Sequence, residues 1–216
     1  MTVTADCINT HSTGGRNATP LPIIRAVKAT LGGIELDCAS DAVINASVGA
    51  ERYFSIENNG FVQSWATKTA FLNAPGTTVT GGLAEQRIEW VKHQQDKGYV
   101  KPAELKVIKA SEWYWRLYEY WRSGLIDHAI ALVYRGGSVG SLGEILSQPT
   151  CATAANASSE VVNGSGRISY ELITEAGDRL PQTTNTQSSL FFLLTRSDEV
   201  RGRFVENFEQ FGVVKL

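Results

Sequence analysis

One run of residues limits what this chain can become: Trp113-Tyr114-Trp115-Arg116-Leu117-Tyr118-Glu119-Tyr120-Trp121. Wound at about 3.6 residues per turn, its rings point in every direction, and no single apolar stripe hides them all. The helix carrying them is predicted to open at Lys101-Pro102, run to about Arg122 and break at Gly124. Lys109, Glu112, Arg116 and Glu119 form a charged stripe along it at three- and four-residue spacing. Ala110, Trp113, Tyr114, Leu117 and Trp121 occupy the other side. Three destinations fit such a helix. It can be a core helix whose Tyr and Trp tips reach the surface, a subunit interface, or a platform on which bases or sugars stack. For an interface, the residues to bear it are Trp113, Tyr114, Tyr118 and Trp121.

The rest of the chain reads as a single domain over 1–216. At 43% hydrophobic and 19% charged it can fill a core, and its net charge of −2 excludes a strongly basic nucleic-acid binder. No apolar run approaches the ~20 residues of a membrane-spanning helix. The first residues lack the basic-then-apolar pattern of a cleavable signal. Cys7, Cys38 and Cys151 are too few and too scattered for a disulfide framework or a paired zinc site, so reduced thiols are expected. Residues 1–19, rich in Thr, Asn and Gly, read as a polar arm. Residues 150–166, rich in Ala, Ser, Asn and Gly, read as a mobile small-residue segment.

Between these, Pro20 and Pro22 open a helical pattern that Gly32-Gly33 can end. Arg52 to Glu57 and Phe61 to Trp65 alternate around Asn58-Asn59-Gly60, which predicts a β-hairpin. Helical spacing resumes from Leu83, and Ser141 with Glu144 fits a capping box. A strand is expected over 167–173, residues 187–195 form a strongly apolar run, and helical spacing predicts a helix over 198–211. The fold class these elements imply is mainly α, an α+β chain built as a helical bundle with one short antiparallel β-hairpin.

Chemistry-bearing patterns are sparse. Ala129 to Tyr134 followed by Arg135-Gly136-Gly137-Ser138-Val139-Gly140 has the strand–glycine–helix layout of a phosphate-binding turn. Arg135 stands where a dinucleotide fingerprint needs glycine, and no Gly-Lys-Ser/Thr ending follows, so a glycine connector is the better account. Glu89 and His93 lie four apart without a second ligand pair. Asp127 and His128 lack a placed nucleophile; Cys151 is the scattered candidate. With no hydrolase elbow or His-Glu-x-x-His, the expectation is no enzyme and no cofactor or metal. Arg196, Arg201 and Arg203 give the C-terminal segment a basic edge that could meet RNA phosphates, or simply pair with Asp198, Glu199, Glu206 and Glu209.

The segment Arg201-Gly202-Arg203-Phe204-Val205-Glu206-Asn207-Phe208-Glu209-Gln210-Phe211-Gly212-Val213-Val214 resembles the C-terminal signature of rod-shaped plant-virus coat proteins of the tobamovirus and tobravirus type. Arg201-x-x-Phe204 matches its first part, although Val205 replaces Glu. Asn207-Phe208-Glu209 with Gly212-Val213 matches its second, and Leu216 stands where an aromatic is usual. The resemblance implies a helix-bundle coat subunit that assembles helically around single-stranded RNA in a virion or the host cytoplasm. The leading expectation is thus a structural, self-assembling capsid protein whose partners are copies of itself and single-stranded RNA, with no membrane. The alternative is a small ligand- or nucleotide-binding domain that uses the aromatic helix and the glycine loop at 136–140.

Overall fold

In a computed structural model of the chain, the described residues are 16–75, 77–93, 98–134, 152–155, 161–162, 168–174, 177–181 and 189–215. Period-two alternation sorts three long strands onto two faces. In β4 (Thr67–Asn73), Phe71 points to one face and Ala70 and Leu72 to the other. In β7 (Ile126–Tyr134), Ile130 and Leu132 join Phe71, while Ala129, Ala131 and Val133 join Ala70. In β11 (Ser189–Thr195), Phe191 and Leu193 lie on the first face, Phe192 and Leu194 on the second. Both faces are apolar because both are covered by helices.

These strands are the middle of a seven-stranded mixed sheet in the order β12-β8-β11-β7-β4-β2-β3. Here β2 is Leu36–Asp37, β3 Arg52–Tyr53, β8 Ala152–Ala155 and β12 Gly212–Lys215. Strands β3, β2, β4 and β7 run parallel to one another. β11 is antiparallel to β7 and to β8, and β12 is antiparallel to β8. Helices α1 (Leu21–Leu31), α2 (Ala42–Val48) and α5 (Asp198–Phe208) cover the Phe71 face. The aromatic helix α4 (Ala110–Arg122) covers the other. Between β4 and α4 lies an insertion: β5 (Thr77–Thr80) pairs antiparallel with β6 (Lys106–Lys109), flanked by α3 (Ala84–His93). A separate antiparallel sheet joins β1 (Arg16–Ala18) to β9 (Glu171–Ile173), and β9 to β10 (Arg179–Pro181).

The helical bundle expected from sequence is therefore corrected to an α/β fold with helices on both faces of a mixed sheet. The reason is physical. Apolar runs of strand length cannot be told from buried helix by periodicity when both faces are covered, and β2 and β3 have two residues each, held by their neighbours rather than by their own pattern. The expected β-hairpin is also absent. Its first arm, Arg52–Tyr53, pairs parallel with β2, and its second contains a 3-10 turn at Gly60–Val62. Trp65, buried to 0% exposure, donates its indole N–H to Gly60 O at 2.8 Å and stacks on Trp113 at 5.5 Å. Burying that ring outweighs the pairing of the two arms. Gly60 is required by close approach: a Cβ there would lie 2.6 Å from the Phe54 Cβ and 2.8 Å from Cys38 O.

Smaller expectations divide similarly. Gly32, at φ 81°, ends α1 as expected, its N–H donating to Lys28 O at 2.8 Å. The helix expected from Pro102 starts only at Ala110, because Lys106–Lys109 pairs with β5. Of the polar arm, Arg16–Ala18 is a strand and Ala18 and Thr19 are buried. Of the small-residue segment, Ala152–Ala155 is a strand of the central sheet. Within residues 161–162 of that segment, Val162 is buried and bridges Ile168. The rest of both, the glycine loop at 136–140 and the capped helix at 141–147 lie outside the described residues.

Large rings on α4 face alanines on the sheet: Trp113, Tyr114, Leu117 and Trp121 share a core with the fully buried Ala70, Ala129 and Ala131. Adding bulk on the strand side should force off-rotamer side chains. Ala131→Leu is expected to lower stability by about 1–3 kcal/mol, read as a lower urea midpoint. An unchanged midpoint would mean that the helix is not seated tightly on the sheet.

Candidate functional site

In an open α/β sheet, ligands bind beyond the carboxyl ends of the strands, where successive connections leave to opposite faces. That point falls here between β2 and β4. The chain leaves β2 for α2 on the Phe71 face, and leaves β4 through the insertion for α4 on the other. The residues beyond these two strand ends are Asp37 to Asp41 on one side and Asn73-Ala74-Pro75 on the other.

The turn after β2 is made of small residues pinned to both neighbours. Cys38 N–H donates to Phe71 O at 3.0 Å and Ser40 N–H to Phe54 O at 2.7 Å. Asp37, 2% exposed, accepts from the Ala39 N–H at 3.3 Å. Burial pushes its pKa up to about 7; the Ala39 N–H and the Ser40 hydroxyl oppose the rise, and the Asp41 charge adds to it. Asp41 caps α2, its Oδ1 accepting from the Ile44 N–H at 2.8 Å. The thiol of Cys38 is buried and held well above its ordinary pKa by that burial. It is an inert core group.

Asn73 closes the other side. Its Nδ2 donates to the Thr19 hydroxyl at 3.1 Å, whereas its Oδ1 is buried with no hydrogen-bond partner among the described residues. Further along the same rim, Ser189 begins β11 opposite Tyr134, the last residue of β7. Its buried hydroxyl likewise finds no partner among the described residues. Buried polar atoms are almost always paired in native proteins, so Asn73 Oδ1 and Ser189 Oγ leave bonding on this rim that a ligand can complete.

Two walls flank the rim. Arg87 of α3, 6% exposed, donates to Gly81 O, Gly82 O, Ile56 O and Glu57 O at 2.9–3.3 Å. It thereby joins the insertion after β4 to the loop after β3. On α4, Arg116 lies among the Phe61, Trp65 and Tyr120 rings at 5.0–5.3 Å and donates to Gln63 O at 2.6 Å, fastening the same loop further on.

The residues singled out from sequence lie elsewhere. Trp113, Tyr114, Tyr118 and Trp121 are all buried within the chain's own core, so they offer no exposed face to a neighbouring subunit. Tyr114 comes nearest the rim, donating its hydroxyl to Leu132 O at 2.8 Å. Arg196 stacks over Trp121 at 4.5 Å and donates to Trp121 O and Arg122 O. Arg201 pairs with Asp198 and donates to Thr195 O. Arg203 pairs with Glu199 and donates to Thr30 O at 2.8 Å. The three arginines are thus engaged within the chain.

Asp127 and His128 line a cleft of about 330 Å³ at the opposite rim, with Glu35, Lys68 and Arg203. His128 meets the Thr195 hydroxyl at 2.8 Å, and burial lowers its pKa, opposed by Asp127 and aided by Arg203. Glu35 is held ionised chiefly by the Lys68 N–H, then by the Thr67 hydroxyl. Cys151, the third group of that constellation, lies outside the described residues. Among the described residues no group of three or more potential ligands could hold a metal ion, and no helix is long and apolar enough to cross a membrane.

The rim residues were not singled out from sequence. Their signal was short: an apolar strand followed at once by small and acidic residues at 37–41, and by Asn-Ala-Pro at 73–75. The chain matches no family model, no curated protein and no solved structure.

Folded Asp37 keeps its proton up to about pH 7, whereas an ordinary aspartate loses it near pH 3.8. Between those values the folded state binds more protons than the unfolded one, so stability falls as pH rises through the window and levels off above it. Asp37→Asn, which keeps the acceptor for Ala39, is expected to remove that fall. Urea midpoints of the two proteins should match in acid and diverge in the variant's favour at alkaline pH. Parallel curves would show that Asp37 ionises normally in the fold.

Proposed function

We propose that the chain is an α/β enzyme that binds a positively charged nucleoside cofactor, S-adenosylmethionine, over the carboxyl ends of β2 and β4, and serves methyl transfer. The observation that carries this reading is the charge and hydrogen-bond balance of the rim. Phosphate-bearing cofactors use an open helix N-terminus reached by a glycine turn. Here Cys38-Ala39-Ser40 contains no glycine, and the Asp41 carboxylate already accepts from the first turn of α2. With Asp37 beside it, a pyrophosphate would meet repulsion, while a cationic ligand would meet attraction in a site of low dielectric. The amide oxygen of Asn73 calls for a hydrogen-bond donor, which the adenine and ammonium N–H groups of the cofactor can supply.

When bound, the cofactor supplies a methyl group on a positively charged sulfur. Asp37 and Asp41 would hold positive charge, and Asn73 Oδ1 would accept from an N–H group of the cofactor. The reading makes the chain an enzyme, where sequence alone pointed to a structural subunit. Assembly into rods or shells has its own direct readout in light scattering and negative-stain microscopy, and no feature of the rim calls for it.

Isothermal titration is the test. S-adenosylmethionine is expected to bind, and ATP and NAD not to bind. Asn73→Ala is expected to weaken binding about tenfold, the ~1–1.5 kcal/mol of one lost hydrogen bond. Affinity should rise as pH passes through about 7, because Asp37 must ionise to pair with a cation. Heat from ATP or NAD but none from S-adenosylmethionine would overturn the reading.

A further inference from the structure

Thr19 is the residue that the rim shares with the small sheet. Ala18, just before it, is the last residue of β1 and pairs with Glu171 of β9. Pro20, just after it, supplies the carbonyl that accepts the first N–H groups of α1, from Ile23 at 3.0 Å and Ile24 at 3.1 Å. Its own carbonyl accepts from Arg179 of β10 at 3.4 Å, and Arg179 is in turn bonded to Glu171 and to the Ser47 hydroxyl. Thr19 is therefore held from both chain directions and from the side, at 5% exposure. An Asn side chain has no such restraint of its own, since rotation about its last torsion is broad and nearly two-fold.

We infer that Thr19 is a positioning residue for Asn73: by accepting from Nδ2 it holds the amide with Oδ1 turned to the rim, ready for an N–H donor on the bound molecule. The inference rests on the cofactor reading above and adds to it a residue that belongs to neither strand end. A threonine hydroxyl can accept or donate, so in either sense it secures one end of the amide and leaves the other for the ligand. In the arrangement present, the end left is the acceptor. The β1–β9–β10 sheet thereby acquires a task, which is to fix one backbone position against the carboxyl end of β4.

The experiment combines titration with S-adenosylmethionine and NMR of the Asn73 side-chain amide in the wild-type chain, Thr19→Val and Thr19→Ser. Thr19→Ser keeps the hydroxyl and should bind within about twofold of wild type; Thr19→Val should bind about tenfold more weakly. In wild type, one Asn73 amide proton should exchange slowly with water, and both should shift on saturation with the cofactor. Thr19→Val should lose both signatures while Thr19→Ser keeps them, a pattern that a general loss of stability would not produce. Equal affinities in wild type and Thr19→Val would overturn the inference and leave the cofactor reading standing. No binding to wild type would overturn both. If Thr19→Val does not fold, the wild-type amide decides: slow exchange with a cofactor-dependent shift supports the inference, and an unresponsive amide overturns it.

Discussion

The fold rests on a difference in side-chain size across one layer. On the second face of the sheet, β4 and β7 present Ala70, Ala129 and Ala131, and α4 supplies Trp113, Tyr114, Leu117, Tyr118 and Trp121. Small residues on the strands let wide rings on the helix come close, which is how interiors reach crystal-like density. The helix still has rings to spare. They are covered by the 60–65 loop, where Trp65 stacks on Trp113 and Phe61 meets the same ring edge-on at 5.3 Å. Seating that loop sets the end of β3, and so one wall of the rim.

The other face follows a different rule. Phe191, Phe204, Phe208 and Phe211 form a contiguous ring cluster between β11 and α5, with centroids 4.4–5.7 Å apart. The C-terminal segment that resembles a coat-protein signature is thus the inner surface of a helix that closes an α/β core. Its phenylalanines pack inward and its arginines bond to the chain itself. A short match in aromatic and charged spacing reflects the needs of an amphipathic helix as readily as it reflects descent.

Much of the local structure was legible. The Pro-opened, Gly-closed helix α1 and the helix α5 follow from caps and periodicity, whereas the apolar run that becomes β11 shows burial but not strand. What escaped was long-range. β3 lies in a stretch read as strand but given the wrong partner, and the parallel pairing of β4 with β7 brings together residues about 60 apart, such as Thr67 and Ile126. The rim escaped for the same reason. Thr19, Asp37, Asn73 and Ser189 are ordinary residues in four separate stretches, and only the burial of Asp37 and the unpaired oxygens of Asn73 and Ser189 give them away. The aromatic run misled in the opposite sense, because one helix can bury rings on several sides when a loop wraps it.

The guanidinium of Arg87 carries a mechanical consequence. Its partners are four backbone carbonyls, so the link between the insertion and the loop after β3 is ion-to-dipole and does not depend on the protonation of any carboxylate. Because the side chain is buried, salt screens it little. The two walls are yoked, and one cannot swing without dragging the other. A visiting molecule would meet a slot of settled width, its size fixed by one buried cation and not by the visitor.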